Sequence, residues 1–254
     1  MEVAFDKLNH KFSKDTKGLV GIKARVEKLE SHLAIGSEDV RIIGIWGIGG
    51  MGKTTLARVI YDMVSNQFEA CSFIANVREN FEKITWLEKE LLKELLKCKD
   101  VEVEDVNNRV LMLKNRLCCK KILLVLDDVN QSEQLDKLAG GYDWFGLGSR
   151  VMITTRDKHL LVKHRANEIY EVEPLNNDEA LQLFSLKAFK KDHLDIDYVG
   201  LSQAFVCYSQ GLPLALEVLG SSLINRSIHE WKSELNILKK FPKRKNFGCT
   251  SNKL

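Results

Sequence analysis

Apolar residues along this chain follow two rhythms, and the change between them falls near Pro174. Before it, short apolar runs alternate with stretches of helical spacing. Residues 41–46 (RIIGIW), 71–77 (CSFIANV), 121–126 (KILLVL), 150–155 (RVMITT) and 168–172 (EIYEV) have the length and β-branched content of strands. The run at 121–126 is apolar almost throughout, as in a strand covered on both faces of a parallel sheet. Between the runs, Val26, Leu29 and Leu33 recur one helical turn apart, and Leu56, Val59, Ile60 and Val64 mark one face of a helix over 53–64. Two further helical stretches are predicted at 84–97 and 106–117, separated by a charged link at 100–105. Strands alternating with helices predict an α/β domain with a parallel sheet. After Pro174 only helical patterns remain, at 178–189, 198–209, 214–224 and 229–240, with Asn177 as N-cap of the first. The expected organisation is an N-terminal extension (1–17), an α/β domain (18–173), a small all-helical subdomain (174–242) and a basic tail (243–254). No repeat of solenoid length is present.

Composition narrows the classes. The 254 residues carry 38 Lys and Arg against 35 Asp and Glu, so a formal charge of +3 demands no nucleic-acid partner. No apolar run approaches the ~20 residues of a membrane helix, and the N-terminus lacks the apolar core of a signal peptide. The expectation is a soluble intracellular chain, cytoplasmic, with nuclear entry through the basic KKFPKRK segment as the alternative. Cys71, Cys98, Cys118, Cys119, Cys207 and Cys249 form no CxxC pair and show no zinc-type spacing. Reduced thiols follow, with Cys118 and Cys119, beside a hydrophobic strand, expected among the buried ones.

The chemistry concentrates in GIGGMGKTT, residues 47–55. Gly47, Gly52, Lys53 and Thr54 fulfil the GxxxxGK[ST] pattern, placed between a predicted strand and a predicted helix. The glycines, including Gly49 and Gly50, let backbone N–H groups turn toward phosphate oxygens, and the helix adds its positive N-terminal end. Lys53 reaches the β and γ phosphates, and the Thr54 hydroxyl is a magnesium ligand. The fold class is therefore a P-loop NTPase sheet with flanking helices. KILLVLDD then delivers Asp127 to the sheet's carboxyl edge as a second magnesium ligand, with Asp128 beside it to orient or deprotonate a water. An Asp-Asp pair is common wherever a strand ends in a turn, but the upstream P-loop favours the catalytic reading. Arg156, closing RVMITTR, suits bidentate contact with a γ-phosphate. Gly211, Leu212 and Pro213 mark a break between helices, with Pro213 at the restart.

Six blocks together resemble a family. GIGGMGKTTLA, FIANVRE, KKILLVLDDVN, GSRVMITTRDKHLL, YEVEPLNNDEALQLF and GLPLALEVLGS occur in the order and spacing of the NB-ARC module, the nucleotide-binding switch of plant NLR disease-resistance proteins. The resemblance spans about residues 18–240. FIANVRE, and Asn130 after LDDV, are similar to the subclass that carries an N-terminal TIR domain. The resemblance implies ATP/ADP and Mg2+ as cofactors, with Gly50, Gly52, Lys53, Thr54 and Thr55 on phosphates and metal, and Asp127 completing the metal site. It implies Asp128 as hydrolytic base, Arg156 as γ-phosphate sensor, and Pro213 packed on adenine opposite Val20 and Gly21. Ile22 stands where relatives often carry arginine. TIR, leucine-rich-repeat and Met-His-Asp segments are absent from these 254 residues. The implied function is an ATP/ADP-binding switch with slow ATP hydrolysis in plant innate immunity. The alternatives are a truncated regulator that pairs with full-length NLR proteins or with itself, and a conventional P-loop ATPase.

Overall fold

The computed structural model describes residues 18–81, 91, 111, 114–190 and 196–240. The chain divides into two compact units. Ile22–Gly49 and Lys53–Val172 belong to the first; Gly18–Gly21, Gly50–Gly52 and the chain from Glu173 onward belong to the second.

In the first unit, α1 (Ile22–Leu33) buries Val26, Leu29 and Leu33, the three residues that set its period. Among the described residues five strands follow: β1 (Arg41–Trp46), β2 (Ala70–Ile74), β3 (Ile122–Val129), β4 (Arg150–Thr155) and β5 (Glu168–Glu171). They form one sheet in the order β2-β3-β4-β1-β5, with every neighbouring pair parallel. The central strand β4 is buried at all six positions, and β3, whose apolar run predicts cover on both faces, is buried at seven of eight. Helix α2 (Lys53–Val64) buries Leu56, Val59, Ile60 and Val64. Ile42, Leu124, Leu126, Val151, Ile153 and Leu161 lie in the core cluster of this unit.

Several expectations need correction. The strand predicted over 71–77 stops at Ile74, because Asn76 takes a left-handed conformation (φ 52°) and Val77 opens a short helix, α3 (Val77–Asn80). Asn adopts that conformation at low cost and so ends the strand. Strand β3 runs three residues beyond Leu126, through the Asp pair to Val129. Two helices too short to set a period, α4 (Ser132–Leu138) and α5 (Lys158–Lys163), were not foreseen. The helices predicted at 84–97 and 106–117 lie mostly outside the described residues, although Leu91 and Leu117 are buried in the core. Cys118 and Cys119 are exposed rather than buried, since the chain turns there before β3 begins. Cys98 and Cys249 lie outside the described residues.

The second unit carries α6 (Asn177–Phe189), α7 (Val199–Ser209), α8 (Pro213–Ser222) and α9 (Ile228–Lys240). The cap of α6 is Asn176, not Asn177. Its side chain accepts from the Glu179 N–H at 2.9 Å, and Glu179 accepts from the Asn176 N–H at 3.1 Å. Of two adjacent asparagines, the one three residues before a glutamate closes the reciprocal box. Trp231 anchors the unit. It is 1% exposed, its ring meets Phe184, Phe189, Tyr198 and Phe205, and its indole N–H donates to the Leu223 carbonyl at 3.2 Å. Gly220 permits close packing of α8 on α6: a Cβ there would lie 2.8 Å from Lys187 Cβ and 3.0 Å from the Phe184 carbonyl.

Candidate functional site

A parallel sheet brings the carboxyl ends of all its strands to one edge, where ligands bind in open α/β folds. In the first unit, β1 leads into Gly47, β3 ends at the Asp pair, β4 ends at Arg156 and β2 leads to Arg78. Helix α2 starts directly after the glycine loop, so the N–H groups of its first turn have no partner within the helix. Gly50 and Gly52 have φ of +80° and +88°, a conformation that favours glycine over residues with a Cβ.

Lys53 is the centre of this loop. It is only 7% exposed, and its ammonium donates to the carbonyls of Gly47 at 2.8 Å and Ile48 at 2.9 Å. Burial pulls its pKa below the usual lysine value and the Arg156 charge adds to this, while Asp128 and Asp127 oppose it. A buried cation whose hydrogen-bond partners among the described residues are neutral carbonyls gains from an incoming anion.

The two candidate metal ligands meet. Thr54 Oγ1 donates to Asp127 Oδ1 at 2.8 Å, and Thr154 Oγ1 donates to the same oxygen at 2.6 Å. Two oxygens on adjacent corners of an octahedral Mg2+ site, at ~2.0–2.1 Å from the ion, are about 2.9 Å apart. The Thr54–Asp127 pair therefore fits this ion without rearrangement of the backbone. Asp127 is itself 1% exposed, so its carboxylate relies on these two hydroxyls.

Asp128 owes its position to an irregularity. Leu126 pairs with Ile153, but the next pair is Val129 with Thr155, so β3 carries one residue more than β4 across the interval. The bulge leaves Asp128 with φ +57°, its N–H donating to Thr154 Oγ1 at 2.8 Å. Consecutive strand residues point to opposite faces, and the bulge relaxes that rule for the Asp pair. Arg156 Nε lies 3.7 Å from Asp128 Oδ1, and its guanidinium approaches so closely that a Cβ on Gly49 would sit 3.2 Å from it. The Thr55 side chain is exposed in the first turn of α2.

Besides Gly50 and Gly52, three residues named from the sequence belong to the second unit. Val20 packs on the helical core, Gly21 has φ +68°, and Pro213 is the first residue of α8. In the same unit the Leu214 N–H donates to the Gly50 carbonyl at 3.2 Å. One site residue was missed. Arg78 Nη2 lies 2.9 Å from Asp128 Oδ2, the shortest charged contact at this edge. FIANVRE contained it, but no local pattern connects residue 78 with residue 128.

The sequence profile of the NB-ARC domain matches residues 22–194. The chain belongs to the NB-ARC domain family. Its relatives are plant disease-resistance proteins. This NB-ARC chain is 45% identical to disease resistance protein RPV1 of Vitis rotundifolia over 228 residues, covering 89% of this chain and 16% of that protein. It is 45% identical to TMV resistance protein N of Nicotiana glutinosa, covering 88% of this chain and 20% of that protein. The chain thus spans a fifth or less of these relatives' length. Among solved structures, the Drosophila ORC bound to DNA is similar with a TM-score of 0.59 at 14% identity, covering 91% of this chain and 70% of that one. Cdc6p of Pyrobaculum aerophilum gives 0.57 at 15% identity, covering 84% and 62%. At that identity the likeness concerns the fold alone. It bears out the P-loop NTPase sheet followed by helices.

Proposed function

We propose that this NB-ARC chain is an ATP/ADP-binding switch module of plant disease resistance, binding its nucleotide with Mg2+ and hydrolysing ATP slowly. The observation that carries this reading is the buried Lys53 ammonium, held by carbonyls of its own glycine loop, beside a Thr54–Asp127 pair spaced for magnesium. In this reading the backbone of Gly47, Gly49, Gly50 and Gly52 and the first turn of α2, with Thr55, receive the phosphates. Lys53 exchanges its two carbonyl partners for β- and γ-phosphate oxygens. Thr54 and Asp127 hold Mg2+, which when bound neutralises phosphate charge. Arg156 leaves its loose contact with Asp128 for the γ-phosphate, and Asp128 takes a proton from the attacking water. Val20, Gly21 and Pro213 receive the adenine. The neighbouring cations Lys53, Arg78 and Arg156 outnumber the carboxylates Asp127 and Asp128, which suits a polyanion. The partners in this reading are other NLR chains, or a second copy, in the cytoplasm.

The test is direct. The purified chain is expected to retain ADP or ATP, released on denaturation and identified chromatographically. Lys53→Ala should weaken ADP binding ten- to a hundredfold or more, the effect of losing a charge-assisted contact worth about 1.5–3 kcal/mol. Equal ADP affinity in the two proteins, measured by calorimetry, would remove the site assignment.

A further inference from the structure

We propose that Arg78 is a positioning residue for hydrolysis: it anchors one oxygen of the Asp128 carboxylate and leaves the other to take the proton of the attacking water. The inference rests on the nucleotide-switch reading and deepens it.

The geometry is asymmetric. Arg78 Nη2 approaches Asp128 Oδ2 at 2.9 Å, within hydrogen-bond range of a charge-assisted pair. Arg156 Nε approaches Oδ1 at 3.7 Å, beyond hydrogen-bond range, from a side chain that is 54% exposed. The backbone of Asp128 is fixed by the bulge and by its N–H bond to Thr154. What remains free is the rotation of the carboxylate, and Arg78 is the group that sets it. Arg78 is itself well placed to hold still. The left-handed turn at Asn76 ends β2, and the buried Val77 seats the next residue beside β3.

The two arginines therefore have different work. A γ-phosphate competes with Asp128 for Arg156, and Oδ1 then loses the cation nearest to it. Arg78 stays as counter-ion on Oδ2 and preserves the carboxylate's orientation. In the step that follows, the water oxygen bonds to the γ-phosphorus. The bond from that phosphorus to the β,γ-bridging oxygen breaks with its electron pair leaving on ADP, and the water's proton goes to Asp128 Oδ1. Arg78 touches neither water nor nucleotide.

A purely structural Arg78, pinning the β2–α3 turn to β3, would act independently of the Asp128 side chain. The distinguishing experiment measures Mg-ATP turnover and ADP affinity in the full chain with Arg78→Ala, Arg78→Lys, Asp128→Asn and the Arg78→Ala/Asp128→Asn double variant. Arg78→Ala is expected to lower kcat about tenfold or more, with KM and ADP affinity within about twofold of wild type. Arg78→Lys should recover most of the rate, and Arg78→Ala should cause no further loss when combined with Asp128→Asn. Should Arg78→Ala melt at a lower temperature, Arg78→Gln carries the same comparison. An unchanged kcat, a parallel loss of affinity, or the same fold loss in the Asp128→Asn background overturns the proposal. So does a chain that binds Mg-ATP without hydrolysing it, which leaves the nucleotide-binding reading standing. A chain that binds no adenine nucleotide overturns both.

Discussion

At the scale of single residues, two buried groups make testable demands on stability. Arg150 is fully buried, and its guanidinium donates to the carbonyls of Ala34, Ser37, Asp39 and Ser149 and to Ser37 Oγ at 2.6–3.2 Å, with a further bond to the Leu33 carbonyl. It thereby satisfies carbonyls at and beyond the end of α1 that the helix leaves unpaired. Arg150→Met keeps the volume but strands these acceptors, and should cost about 3 kcal/mol or more in urea unfolding. A loss below ~1 kcal/mol would mean that water replaces the guanidinium. His164 is the second case. Its Nε2 is buried without a partner among the described residues, and burial holds its pKa below the usual 6.5, with Asp136 opposing. The unfolded chain therefore binds the proton more readily than the folded one. Keeping His164 neutral costs nothing above about pH 6.5, and stability declines as pH falls through that value toward the lower folded pKa. His164→Leu should flatten the stability profile between about pH 7 and pH 5. An unaltered profile would show that the imidazole finds a partner.

At the scale of elements, the bulge at the end of β3 decides what the Asp pair can do. Asp128 has φ +57°, which Asn tolerates and a β-branched residue does not. Asp128→Asn is expected to keep the melting temperature and Mg-ATP binding while lowering hydrolysis to a small residual rate. Asp128→Val should lose about 1–3 kcal/mol of stability as well, because it strains the backbone. Asp127→Ala should instead weaken the Mg-dependent part of binding, since its oxygen meets the Thr54 hydroxyl. Identical titration and turnover in Asp127→Ala and Asp128→Asn would contradict the division of roles. The same element explains Asn130. Its side-chain oxygen accepts from the buried Gln134 amide at 2.9 Å, and the Asn130 N–H donates back to Gln134 at the same distance, which starts α4 directly after the strand. In the GSR block, the Ser149 hydroxyl accepts from the Ile122 N–H and donates to the Lys120 carbonyl, so it fastens the start of β3 beside β4.

At the scale of the whole molecule, nucleotide binding and stability are linked, because a ligand that binds only the folded chain stabilises it by mass action. Mg-ADP at a hundredfold above its Kd should stabilise by about 2.7 kcal/mol, seen as a rise in melting temperature that Lys53→Ala, at the same ADP concentration, cuts to about 0.4–1.4 kcal/mol or less. A rise undiminished in Lys53→Ala would place the nucleotide elsewhere. Much of this molecule was already determined by its sequence. Hydrophobic period is a local property, so β1, β4, α2 and the helices after Pro174 were legible to within a residue or two. The glycine loop and Lys53 were legible because their chemistry is contained in nine consecutive residues. Tertiary structure decided what depends on distance through space. Parallel pairing sets Asp127 against Thr54 and Thr154, 73 and 27 residues away. The bulge, invisible in a pattern of apolar residues, gives Asp128 its left-handed backbone. Arg78 reaches Asp128 only because β2 and β3 are neighbours in the sheet, and strand order follows from packing rather than from any local preference.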